Sequence, residues 1–225
     1  MVLKYLGLIK NNHIVLVLAS ITYNLLHFSL IANILQGGVK IRGSFLNRVN
    51  IKVSGKNNQV LIGEKTMMNH CTVIVTGNNC KLTIAGGGTN INHCLIRVCG
   101  EGGEISVAAK FTAHGGTIES CEGKKVSIGE DCMFAGGVRI STTDHHSIID
   151  IDKNTRINQA KDVQIGNHVW LGRNVTLHKG AIIGDDSIVG EGSIVNGVLD
   201  EQHSVYVGCP AKKVKSGTTW SRSLE

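Results

Sequence analysis

The fold class this sequence predicts is an all-β solenoid, a parallel coil of short strands, and three observations predict it. A six-residue apolar repeat runs from residue 165 for six units, and a looser repeat of 22 or 23 residues precedes it. The third is composition: 28 Gly against one Pro, 42% hydrophobic and only 4% aromatic residues over 225 positions. That is too much glycine for a helical globule and too apolar for a disordered chain. Many Val and Ile with few aromatics suit a core of thin, branched layers, which favours β structure. The length bounds one domain with an appendage, enough to bury a sizeable core.

Taken in order, residues 1–36 form an N-terminal segment expected to be helical. Within it, "IVLVLASITYNLLHFSLIANIL" (14–35) holds no Asp, Glu, Lys or Arg over 22 positions, a length able to span a bilayer. Helical spacing puts Ser20, Asn24 and His27 on one face and Thr22, Ser29 and Asn33 roughly opposite. Polar groups on two faces suit a helix packed among protein surfaces better than one in lipid or on its surface. Membrane contact through 14–35 is the alternative. No small-residue cleavage site follows the apolar run, so a signal peptide is not expected.

Residues 37–207 carry the coils. "VSGKNNQVLIG" (53–63), "VTGNNCKLTIA" (75–85), "VCGEGGEISVA" (98–108) and "SCEGKKVSIGE" (120–130) are successive echoes, marked by Gly55, Gly77, Gly100 and Gly123. From 165 the chain reads IGNHVW, LGRNVT, LHKGAI, IGDDSI, VGEGSI, VNGVLD. Its first positions (Ile165, Leu171, Leu177, Ile183, Val189, Val195) are apolar and its fifth positions small or aliphatic. A 3.6-residue helix cannot hold that period on one face. Short strands separated by tight corners can, and three units close an 18-residue triangular coil. Gly, Asp-Asp and Arg-Asn pairs suit the corners. The order fails between Ile140 and Val163, so 141–161 is expected to leave the coil as a loop, and 208–225 forms a C-terminal tail.

A formal charge of +6 favours acidic partners: phosphates, an anionic polysaccharide or a membrane surface. No basic run interleaved with aromatics and no recognition motif points to nucleic acid. Seven scattered cysteines without a CxxC pair suggest reduced thiols, most of them small buried hydrophobes, in a reducing compartment. The expected location is cytoplasmic, or peripheral at the inner membrane.

The hexapeptide run followed by "VGCPAKKVK" (207–215) resembles the left-handed β-helix acyltransferases of the hexapeptide-repeat family, whose C-terminal end commonly reads G-x-P-A-[KR]. More narrowly, "TTDHHSIID…KDVQIGNHVWLG" resembles the bacterial capsule and lipopolysaccharide O-acetyltransferases, including those acting on polysialic acid. The resemblance implies a left-handed parallel β-helix, a homotrimer, acetyl-CoA as co-substrate in a cleft between coils of two subunits, no metal, and a loop histidine as catalytic base. In the D-x-H pattern that histidine is His146, with Asp144 beside it and Trp170 24 residues on, both as substrate or CoA wall. Lys212 and Lys215 match positions that approach the CoA phosphates, and Gly190, Gly192 and Asn196 fall in the family's G-x-G-S-x-V stretch. Asn196-Gly197 stands where the family has Thr-Lys, so one familiar CoA contact is missing.

The chemistry fits these residue types. Acetyl transfer to a sugar hydroxyl needs a base that can also return the proton to the departing thiolate, and imidazole titrates in the right range. Asp144, Asp150 or Asp152 could orient the ring, and Arg156 could meet an acidic glycan. Taken alone, two adjacent loop histidines are ordinary solvated side chains, Trp170 is a corner cap, and Lys212, Lys213 and Lys215 are a charged tail. The expected acceptor is an anionic or neutral surface glycan, with a small sugar or a non-catalytic glycan-binding scaffold as alternatives. Trimeric β-helix zinc hydratases carry two histidines five residues apart; no pair among the ten here has that spacing.

Overall fold

The computed structural model describes residues 38–224, and every regular element among them is a strand. The expected N-terminal helix, and any membrane contact of residues 14–35, lie outside the described residues. The chain winds as a parallel β-solenoid. One face is an eight-stranded sheet that starts with Val39–Ile41, Gln59–Ile62, Lys81–Ile84, Glu104–Val107 and Lys125–Ile128. It continues through Val163–Ile165 and Ile182–Ile183 to Val198–Leu199. The other two faces merge into one sheet because Asn90–Glu101 and Thr112–Ser120 run unbroken round a corner.

The hexapeptide reading maps directly onto register. Ile165 pairs with Ile183, Leu171 with Val189 and Leu177 with Val195, each 18 residues on, so three units make one coil. The first positions of the repeat are all at most 4% exposed, and Val169, Val175, Ala181, Ser187 and Ser193 seal the corners beneath them. Side chains alternate across a strand, so the inward residues stack into continuous aliphatic columns and each coil buries its neighbours' apolar faces. At the outer corners Asn174 and Asp186 take φ near 57° and 55°, as the Arg-Asn and Asp-Asp pairs predict.

Upstream, the marker glycines of the longer coils have a backbone cause. Gly77 has φ 124°, and a Cβ there would sit 1.6 Å from the Gly100 carbonyl oxygen; at Gly55 it would sit 1.7 Å from that of Gly77. Glycine is therefore required where these coils stack. The last marker is displaced by one. Ser120 pairs with Val98, which sets Gly100 opposite Glu122 rather than Gly123.

The same register corrects the cysteine reading. Cys99 and Cys121 are one coil apart, their Cα atoms lie 4.7 Å from each other, and they form a disulfide. A 22-residue separation looks scattered in the sequence but is nearest-neighbour in the coil. Cys71, Cys80, Cys94 and Cys132 are free and buried, and desolvation pushes the Cys94 and Cys132 thiols up to about 12.

Between Val126 and its partner Val163 the step is 37 residues. The excess leaves the coil after Thr142, whose carbonyl accepts from Lys161 N at 3.0 Å to close the neck. Outside it, Ile149–Asp150 pairs antiparallel with Thr155–Arg156 as a small hairpin. Residues 208–224 are not a loose tail. Ala211–Ser216 adds antiparallel to Ser204–Gly208, and the chain then folds back over the coils.

Candidate active site

One buried amide ties the two arms of the loop together. Asn158, 8% exposed, donates through Nδ2 to Asp144 Oδ2 and to the His146 carbonyl, both at 2.8 Å. Its Oδ1 accepts from Ile148 N at 2.7 Å and Arg156 Nε at 3.2 Å. All of the amide's hydrogen-bonding capacity is thereby spent on the two arms of the loop. Asp144 also pairs with Lys179, and Lys179 first, then Asn158, hold its carboxyl below the ordinary value. Asp144 therefore fastens the loop to the coil and does not orient an imidazole. Asp150 accepts from Lys153 N at 3.0 Å within the hairpin turn.

The adjacent histidines have different surroundings. His145 Nε2 lies 3.0 Å from Glu119 Oε2, and Glu119, 7% exposed, also pairs through Oε1 with Arg97 at 2.9 Å. The buried carboxylate is thus held on both sides, by the Arg97 guanidinium and the His145 ring. His146 is exposed, and its ring has no hydrogen-bond partner among the described residues. A cavity of about 460 Å³ opens beside the loop, lined by Thr117, Glu119, Arg139, Asp144, His145 and His178 among others. His146 is next in sequence to this wall rather than part of it.

Arg156, expected to meet an acidic glycan, is engaged within the protein. Its guanidinium makes a bidentate pair with Glu122, at 2.6 and 3.0 Å, and its Nε reaches Asn158. Arg156 first, then Thr143, holds the Glu122 carboxyl down to about 2. With its fork on a carboxylate and its second Nη2–H on the Asn158 carbonyl at 3.2 Å, four of its five N–H donors are spent within the protein, so Arg156 fastens the loop.

Trp170 lies on a different face of the solenoid and is 36% exposed. The register runs from Trp170 to Ile188, Val205 and Lys215 in one row, so Trp170 and Lys215 lie about 14 Å apart at the usual ~4.8 Å strand spacing. Lys212 pairs with Val207 in the same hairpin, and both lysines are exposed. Gly190, Gly192 and Asn196 belong to the neighbouring coils. A Cβ at Gly190 would come within 2.7 Å of Val207 Cγ1, and Gly192 has φ 71°. An exposed aromatic wall ending in cations that have no ion-pair partner among the described residues suits a long, phosphate-bearing ligand.

Sequence reasoning missed the support behind Trp170. Trp220, 8% exposed, stacks on His168 with centroids 4.3 Å apart and donates Nε1–H to the His168 carbonyl at 2.7 Å. Its ring lies 6.3 Å from that of Trp170. Arg222 covers Trp220 at 5.4 Å and pairs with Asp131. Glu119 and Arg139 were also missed. Counting one coil step from Arg97 to Glu119 and one from Thr117 to Arg139 is the signal that would have found them.

A family model described as bacterial transferase hexapeptide (six repeats) matches residues 162–197. A polysialic acid O-acetyltransferase of Neisseria meningitidis is 39% identical over 181 residues, covering 80% of this chain and 83% of the relative. A shorter match, 49% identical over 45 residues, joins 20% of this chain to 15% of a polysialic acid O-acetyltransferase of Escherichia coli O1:K1 / APEC. Among solved structures, the polysialic acid O-acetyltransferase OatWY superposes with a TM-score of 0.81 at 37% identity, covering 83% of this chain and 88% of that one. The polySia-specific acetyltransferase NeuO superposes with a TM-score of 0.65 at 29% identity, covering 79% and 91%.

Proposed function

Since the chain belongs to the hexapeptide-repeat transferases, in the family of the polysialic acid O-acetyltransferases, we propose that it moves acetyl from acetyl-CoA to a hydroxyl of polysialate or a similar anionic capsule glycan. It is an acyltransferase. The observation that carries the acceptor is the 39% identity spread over most of both chains; positive charge agrees with it. His146 is the general base. It takes the proton from the acceptor hydroxyl as that oxygen bonds to the acetyl carbonyl. It then gives the proton to sulfur as the carbon–sulfur bond breaks. An unpartnered, exposed ring on a loop fastened by Asn158 supports this role. Positioning of both substrates supplies a large share of the rate.

A second reading has its own observation. His145 and Glu119 form an imidazole–carboxylate pair in the cavity wall, the arrangement that fixes tautomer in other acid–base sites. His145 would then be the base.

Acetyl-CoA fits the row from Trp170 to Lys215, with Lys212 and Lys215 on its phosphates. The double variant Lys212→Ala, Lys215→Ala is expected to raise KM for acetyl-CoA about tenfold or more while kcat stays within a few-fold; an unchanged KM removes the lysines from the site. The enzyme acts as a homotrimer. The loop isoleucines Ile148, Ile149, Ile151 and Ile157, 46–94% exposed, are the apolar surface expected of a subunit contact.

The reaction class is tested with acetyl-labelled acetyl-CoA and polysialate. Label should reach the polymer and be released by mild base, as an ester is. Base-resistant label, or none on the polymer, contradicts O-acetylation.

A further inference from the structure

We propose that Arg139 is the acceptor-recognition residue, its guanidinium taking the carboxylate of a sialyl unit seated in the cavity beside the loop. This rests on the transferase reading above and deepens it by naming what makes the site select an anionic glycan.

Charge accounting around the cavity singles Arg139 out. Glu119 is matched by Arg97 and also contacts the His145 ring, Asp144 is matched by Lys179, and Glu122 by Arg156. Arg139 lies exposed in the cavity wall on strand Val138–Ser141, with no hydrogen bond or ion pair to its side chain among the described residues. A free guanidinium offers a planar fork that matches a carboxylate.

Its neighbours suit a sugar. Register sets Thr117 on one side of Arg139 and Thr176 on the other, about 4.8 Å away each. Both hydroxyls line the cavity and have no partner among the described residues. Ser141, two residues along the same strand, shares the outward face, and it and His178 also line the cavity. A cavity of about 460 Å³ lies within the roughly 300–1,000 Å³ of small-molecule sites. A guanidinium flanked by hydroxyls and an imidazole reads a carboxylate on a polyhydroxylated ring.

The wall also opens toward the reaction. Asp144 and His145 line it, and His146 follows them in the chain. In a sialyl unit the carboxylate and the glycerol side chain stand on the two ring carbons flanking the ring oxygen. A grip on the carboxylate therefore leaves the hydroxyls free for the loop. A CoA phosphate is the other anion Arg139 could take. However, Trp170, Lys212 and Lys215 belong to a different row on another face, while Arg139 stacks with Thr117 and Thr176.

Arg139→Gln and Arg139→Lys test the proposal with two acceptors, polysialate and carboxyl-reduced polysialate. With polysialate, Arg139→Gln is expected to lower kcat/KM about ten- to a hundredfold, the usual worth of a hydrogen bond to a charged group, through the acceptor KM. Arg139→Lys should recover part of the loss. Reducing the carboxylates should bring the wild type down to the same level and leave Arg139→Gln unaffected, with the acetyl-CoA KM unchanged throughout. A polysialate KM within twofold of wild type in Arg139→Gln overturns the assignment. A raised acetyl-CoA KM also overturns it, by moving Arg139 to the phosphates. Failure of the wild type to acetylate any glycan would overturn the transferase reading itself, which is a different result.

Discussion

Replacing His146 with alanine is expected to lower turnover about 10²- to 10⁴-fold, the usual worth of a general base, with acetyl-CoA binding and the melting transition unchanged. The binding expectation follows from position: the residues suited to acetyl-CoA run from Trp170 to Lys215 on another face, and His146 is not among them. The stability expectation follows from exposure. The His146 ring has no hydrogen-bond partner among the described residues, so its removal leaves no buried group unsatisfied. His145→Ala is the control. It breaks the contact with Glu119, but Arg97 still neutralises that carboxylate, so a loss of at most about tenfold is expected. Steady-state kinetics of both variants decide the assignment. Near-normal activity in a folded His146→Ala, with collapse in His145→Ala, would transfer the role to His145 and Glu119.

Asn158→Ala carries the second largest expected effect, about a hundredfold in kcat. Asn158 contacts neither substrate in this account; it is a positioning residue. Its amide ties the Asp144 carboxylate, the His146 carbonyl, the Ile148 amide and Arg156 into one knot. Without it the base remains but wanders, and a misplacement of about 1 Å can cost roughly a hundredfold. The loop lies outside the aliphatic columns, so the main unfolding transition should be retained, and KM for acetyl-CoA should hold. A fall in kcat alone is the signature of lost positioning. If kcat stays within threefold, the loop is held by the Arg156–Glu122 and Asp144–Lys179 pairs without help from the amide.

How much of this could be read from the chain depended on whether a feature was local. The coils were legible because each hexapeptide is a complete strand and corner, so Ile165 to Val195 display the period within 31 residues. The loop was legible as the place where that period fails. Side-chain partnerships were not, because partners in a solenoid sit one coil apart and the coil length changes along this chain. Cys99 and Cys121, Arg97 and Glu119, and Arg139 and Thr176 are neighbours only once register is known. In the sequence Arg156 reads as a cation that could meet an acidic glycan, because Glu122, 34 residues earlier, carries no local sign of pairing with it. Asn158 was passed over for the reverse reason. An asparagine in a polar loop looks like solvent-facing filler until its four partners are seen. Trp220, near the chain end, reaches back 52 residues to His168, beyond any pattern a linear reading can use.

The central claim is acetyl transfer from acetyl-CoA to an anionic capsule glycan, and the most direct test is chromatographic measurement of CoA released by the wild-type protein. Polysialate, a neutral polysaccharide, simple sugars and no acceptor are compared. Thiol dyes are unsuitable because Cys209 is free and exposed. Release is expected to depend on polysialate and to be far slower with the neutral polymer or without acceptor. No release with any acceptor, together with no detectable acetyl-CoA binding, would contradict it and leave a glycan-binding solenoid as the better description.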